Sequence, residues 1–294
     1  MNMKINVKFA IHVFALATVV LWALANVLTR IAVTYFSPES ISFLRCLIAA
    51  ITLVVYAFVK KMRPPSLNDV PLFFFGGAIG FALFVHVFNV GSKTVTASVI
   101  SFILNATPVI TAVLARIILK ERIGTVGWLC VIGAFTGVGI ITVANSDFAV
   151  EPGILWICLS SVLMSSYNIF QRKLLLKYGP LEITTYCLIS GAILLSVFAP
   201  QAIFQLTHAP ASQVITIVIL GVFPSAIAYL CWAYALSKAE KTSDVINYMF
   251  LIPIITTFLG CIIINEFPHL STYLGGSLVI ISALLLNMRH IFQK

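Results

Sequence analysis

Most charged residues in this chain lie in short connectors or near span ends, and between the connectors run apolar stretches of about 20 residues, the length an α-helix needs to cross a bilayer core. That patterning narrows the fold more than any other feature. Only 9% of the 294 residues are charged, against about 25% in soluble domains, so the chain cannot cover a water-facing surface. Soluble enzymes, secreted disulfide scaffolds and disordered regulators are excluded, and an all-α membrane protein remains. Ten stretches qualify as spans: Phe9–Thr34, Ile41–Val59, Pro71–Val90, Val95–Leu119, Thr125–Val143, Gly153–Leu176, Leu181–Ala199, Gln213–Leu236, Ser243–Ile264 and Leu270–Met288. The first stretch lacks a small-residue cleavage site and is longer than a signal-peptide core, so it is expected to be retained.

The basic residues predict a direction. The chain holds 18 Lys+Arg and 9 Asp+Glu, a formal charge of +9, which in a soluble chain points to nucleic acid. Here no basic patch forms, and no nucleic-acid partner is expected. With the amino terminus in the cytoplasm, 15 of the 18 fall inside: Lys4, Lys8, Lys60, Lys61, Arg63, Arg116, Lys120, Arg122, Arg172, Lys173, Lys177, Lys238, Lys241, Arg289 and Lys294. Arg30, Arg45 and Lys93 are left outside. Lys and Arg favour cytoplasmic loops, so the pattern predicts a multi-pass protein with both termini cytoplasmic.

A repeat runs through the chain. Asn26, Arg30 and Pro38 recur as Asn168, Arg172 and Pro180, each 142 residues on. Gly76, Lys93, Ser98, Pro108 and Glu121 recur as Gly221, Lys238, Ser243, Pro253 and Glu266, each 145 residues on. The halves, 1–147 and 148–294, hold five spans each, and because five is odd the second half begins on the opposite side of the membrane. Ten transmembrane helices in two inverted five-helix repeats are therefore expected, an architecture in which secondary transporters bind substrate near the midplane between the halves.

These residues resemble the EamA family of the drug/metabolite transporter superfamily. The marks are Trp22, Asn26 and Arg30 in the first span, Pro38 and Arg45 at the entry to the second, and Ser98, Pro108, Lys120 and Glu121 in the fourth, partnered by Ser243, Pro253, Asn265 and Glu266. The resemblance covers nearly the whole chain. It implies a plasma-membrane carrier, often an exporter, for small metabolites such as amino acids. Arg45 has Cys187 as its counterpart, so that feature is kept in one half only.

Polar groups inside a bilayer are costly and read first as functional. Trp22 and Asn26 share a helix face, as do His86 with Asn89 and Tyr229 with Trp232. Asn105 precedes Pro108 by three residues; Tyr167 and Asn168 lie in the sixth span, and Asn247 and Tyr248 open the ninth. Together they describe a mixed aromatic and amide lining suited to neutral or zwitterionic ligands. The competing reading makes the amides interhelical hydrogen-bond partners. Pro108 and Pro253 interrupt the fourth and ninth spans at matched positions, as hinges for alternating access or as static bends. Gly76 with Gly80 and Gly133 with Gly137 are spaced for close helix approach. Arg30 is expected to snorkel outward; Arg45, deeper, is expected to pair with Glu39 or to meet a substrate carboxylate.

All nine acids, Glu39, Asp69, Glu121, Asp147, Glu151, Glu182, Glu240, Asp244 and Glu266, lie in connectors or at span ends. Small multidrug pumps of the related superfamily branch need a central Glu, so a lipophilic-cation substrate is disfavoured. Proton coupling would rest on His86, whose ordinary pKa of about 6.5 suits it, or on an acid at a span end. Glu121 and Glu266 are expected to cap and position helices. The six Cys lie within spans as small apolar residues. No phosphate-binding Gly loop, metal-ligand spacing or nucleophile–base pair stands out, so no ATPase, metal, cofactor or catalytic residue is expected. A secondary carrier leads, an importer or gradient-driven facilitator of the same fold follows, and an intramembrane enzyme acting on lipid-linked substrates is a distant third. Oligomeric state is left open.

Overall fold

The computed structural model describes residues 2–118, 124–144, 151–238 and 247–292. Lys120, Glu121, Arg122, Asp147, Glu240, Lys241, Ser243, Asp244 and Lys294 lie outside the described residues, as do the side chains of Lys4, Lys8, Arg172, Lys238, Asn247 and Arg289. Among the described residues there is no strand. Seven helices are long and apolar enough to cross a membrane: α1 (Ile11–Ala32), α2 (Pro38–Val59), α3 (Leu67–Gly91), α4 (Ala97–Ile118), α6 (Pro152–Gln171), α7 (Pro180–His208) and α8 (Ala211–Ala235). Three shorter apolar helices, α5 (Thr125–Ile141), α9 (Tyr248–Ile264) and α10 (Leu270–Leu286), fall where the remaining three spans are expected. The helical backbone runs past two of these stretches, over Thr125–Ala144 and Leu270–Phe292, about 30 and 34 Å at 1.5 Å per residue. Large apolar side chains point outward, Phe58 at 86% exposure among them, as a lipid-facing surface requires.

Local sequence explains the starts and breaks of these helices. Proline at a first helical position loses no hydrogen bond, and Pro38, Pro152 and Pro180 each open a helix. Ser37 caps α2 through its side chain, and Thr96 caps α4. Inside α3 and α8 the backbone widens into π-helical turns at Ala78–Leu83 and Gly221–Ile227, two stretches that correspond under the 145-residue repeat. α4 breaks at Asn105 and Ala106 and resumes at Thr107, with Pro108 in the new first turn. α9 starts as a 3-10 turn over Asn247–Leu251 and continues from Ile252, with Pro253 next. Both prolines therefore sit just past a break rather than at the centre of a bend. Each lacks the N–H that would bond four residues back.

The packing exchanges partners between halves. α1 lies against α8 and α9, while α6 lies against α3 and α4; α2 pairs with α7, and α5 with α10. Gly137 shows how close the last pair comes: a Cβ there would stand 2.5 Å from the Gly275 carbonyl oxygen. Connectors meet at two opposite ends. At one end Tyr35, between α1 and α2, donates to the His208 carbonyl at the close of α7, at 2.7 Å. At the other, Asp69 before α3 accepts hydrogen bonds from Lys177 and Tyr178, between α6 and α7. α1 therefore finishes at one end of the bundle and α6 at the other.

Candidate functional site

Four of the expected aromatic residues come together where α1, α8 and α9 meet. Trp22 stands 5.4 Å from Tyr229 and 5.3 Å from Trp232, ring centroid to centroid. Tyr248 packs on buried residues that the tryptophans also cover, Ala235 with Trp232 and Val19 with Trp22, and its hydroxyl hydrogen-bonds His12 Nδ1 at 3.0 Å. Tyr229 continues the row to Phe81 at 5.3 Å, and Phe81 to Tyr167 at 5.4 Å. Tyr167 is sealed in the core: a Cβ at Gly80 would fall 2.3 Å from its ring, so only glycine lets α3 approach α6 this closely. Its hydroxyl faces the Cys187 thiol without a hydrogen bond of ordinary geometry.

Arg45 adds charge to this aromatic row. It is 6% exposed, its guanidinium lies 5.9 Å above the Phe88 ring, and Tyr229 is a close neighbour. Its Nε donates to the Ser225 hydroxyl. Backbone chemistry explains why Ser225 is free to accept. Pro224 has no N–H for the Leu220 carbonyl, and the Ser225 hydroxyl donates to that oxygen instead, at 2.8 Å. The π turn in α8 thus turns the serine lone pairs toward Arg45. The two terminal nitrogens of Arg45 make no hydrogen bond among the described residues. No ion pair joins Arg45 to Glu39 among the described residues, so the expected pairing is replaced by the serine contact.

The amides divide. Asn26, one turn beyond Trp22, donates to Thr256 on α9 at 3.2 Å, and Asn89 donates to Ser42 on α2 at 2.9 Å. Asn105 donates to the Ser101 carbonyl at 3.0 Å across the α4 break, leaving its buried Oδ1 without a partner. Asn168 is half-buried on α6, and only the backbone of Asn247 is described. His86 stands apart from the aromatic row, stacked on Phe198 at 5.8 Å. A groove of about 590 Å³ between α2 and α7, lined by Val54, Phe58, Lys61 and Ile189 among others, lies away from the row.

Ser225, Phe81 and Phe88 escaped the reading of the sequence. The available signal was Pro224 inside an apolar span, with a hydroxyl residue next to it. Arg30 also departs from expectation. Instead of snorkelling it binds Glu266, Nε and Nη2 each 2.8 Å from Oε1, and Nη1 reaches the carbonyls of Ser92 and Lys93 at 2.7 and 2.8 Å. The other Glu266 oxygen accepts from the Ala97 amide at 2.9 Å. The cation thus sits at the carboxyl end of α3 and the anion at the amino end of α4, where each suits the helix dipole. Asn265, in the left-handed region at φ 53°, closes α9 and turns Glu266 toward this site.

The model of the EamA-like transporter family matches the chain twice, over residues 9–143 and 151–288. The chain belongs to this family. Membership makes it an integral membrane transporter rather than an enzyme. It is similar to the uncharacterized transporter YdfC of Bacillus subtilis (strain 168), 32% identical over 257 residues, 87% of this chain and 84% of that protein. A probable terminal-alkyne amino-acid exporter of Streptantibioticus cattleyicolor is 27% identical over 98% of this chain and 97% of its own length. An S-adenosylmethionine uptake transporter of Rickettsia prowazekii is 25% identical, covering 90% and 88%. A solved crystal structure shares the fold at a TM-score of 0.64 and 16% identity, over 95% of this chain and 98% of that one.

Proposed function

We propose that this transporter is a secondary carrier that exports small metabolites of the amino-acid class by alternating access. In this reading ten helices cross the plasma (inner) membrane as two inverted repeats, 1–147 and 148–294, with both termini cytoplasmic. The opposite finishing ends of α1 and α6, and the reciprocal packing of α1 on α8 and α9 and of α6 on α3 and α4, support that symmetry. One observation carries the functional reading. Trp22, Tyr229 and Trp232, half-buried, line the junction between halves beside the open guanidinium of Arg45. Aromatic faces with a few placed polar groups are what a small-molecule site needs. The Arg30–Glu266 cluster closes the outer end, and the breaks before Pro108 and Pro253 are the flexible points.

Import or gradient-driven facilitation is the second reading. It is favoured by the absence of any acid in a span interior, and the similarity to a protein named as an S-adenosylmethionine uptake transporter supports it. Flux of labelled amino acids and their derivatives in liposomes holding the pure protein tests both. Concentrative efflux supports export, dissipation of gradients alone supports facilitation, and no flux across a broad panel overturns the transport reading of the site.

A further inference from the structure

We propose that the cargo crosses as an organic monoanion, its carboxylate held by the open fork of Arg45, so that each cycle carries one negative charge and the membrane potential drives export without a coupling ion. The proposal rests on the carrier reading above and narrows its substrate class.

Arginine remains charged in proteins, and here it has no counter-ion among the described residues. Its neighbours are Ser225, Tyr229, Phe88 and Cys46, none of them an anion at neutral pH. Every acid in the chain lies in a connector or at a helix end. The Ser225 bond on Nε and the Phe88 ring 5.9 Å away position the guanidinium, and both terminal nitrogens are left without a hydrogen bond among the described residues. Two parallel N–H donors in one plane match the two oxygens of a carboxylate. A ligand carboxylate thus supplies the missing counter-charge where water is scarce and attraction is strong.

The rest of the site selects against the other charge states. A zwitterion brings an ammonium beside Arg45 and the aromatic row, where no acidic side chain among the described residues balances it. A cation adds a second positive charge. An N-acylated or otherwise ammonium-free carboxylate leaves the loaded site neutral, the form that rearranges at least cost in a low-dielectric interior. The empty carrier returns with its arginine charge, so a full cycle moves one net negative charge. With the cytoplasm negative, each 100 mV then favours the monoanion outside by about 50-fold at equilibrium. Export needs neither a proton relay through His86 nor an intramembrane acid.

The test uses the pure full-length protein in liposomes with potassium–valinomycin potentials. The probes are labelled N-acetyl-phenylalanine, phenylalanine and phenylalanine amide. Expected are fastest movement of N-acetyl-phenylalanine, accumulation on the positive side near 50-fold at 100 mV, and charge movement matching flux. Arg45→Gln is expected to abolish its preference over the amide, and Arg45→Lys to keep part of it. Equal rates for anion and zwitterion in the unaltered protein, or accumulation blind to potential, overturn the proposal while leaving the carrier reading standing. No movement of any probe or of a wider metabolite panel overturns the carrier reading itself.

Discussion

Trp22 touches two rings of the other half, Tyr229 and Trp232. Aromatic contacts of this kind contribute about 0.5–1.5 kcal/mol each beyond the area they bury. Trp22→Ala should therefore lower initial flux by about ten-fold while membrane insertion, followed by detergent extraction and gel filtration, stays unchanged. Asn105→Ala should have the same signature, because the α4 break is retained by Pro108 while the amide with its unpartnered buried Oδ1 is lost together with its bond to the Ser101 carbonyl. Normal flux in both variants would remove them from the site. Helical spacing made Trp22, Tyr229 and Trp232 legible, since residues three or four apart share a face. It left Ser225 invisible. Its acceptor role depends on a carbonyl that Pro224 orphans in its own helix and on an arginine 180 residues away, and no local pattern encodes that second condition.

Among elements, the decisive contacts join helix ends. Arg30 and Glu266 each bind a backbone terminus besides one another, Arg30 the carbonyls closing α3 and Glu266 the amide opening α4. A charge swap preserves the ion pair but opposes both helix dipoles. Arg30→Gln and Glu266→Gln should each raise labelling of outer-end cysteines by membrane-impermeant reagents, and the Arg30→Glu/Glu266→Arg double variant should fail to restore closure. Full restoration would show that the pair alone matters. At the α5–α10 seam a side chain at Gly137 meets the Gly275 backbone, which cannot yield as a side-chain tip does. Gly137→Val should cost about 1–3 kcal/mol, seen as a lower thermal midpoint in detergent. Gly139, with open space around it, should tolerate the same change. Glycine spacing on α5 was readable from sequence; its partner helix was not, because spacing says how near a neighbour comes but not which neighbour it is.

At the scale of the whole molecule, the charge distribution and the contacts between connectors bear on the same topology. Single cysteines at Lys61 and Lys177 should react only with reagent reaching the cytoplasm, and cysteines at Tyr35 and His208 only with reagent outside. Any mixed pattern would break the ten-span proposal. The amino-acid sequence by itself determined a helical membrane protein and its repeat, and through the basic residues predicted a direction, because bilayer thickness and the cost of charge act on residues in order along the chain. Only the tertiary structure decided that Arg30 joins Glu266, that Arg45 turns to Ser225 and not to Glu39, and that the aromatic row runs from α1 through α8 to α3. Those pairings are chosen by exchange of helices between halves, where residues far apart in sequence compete for one buried space.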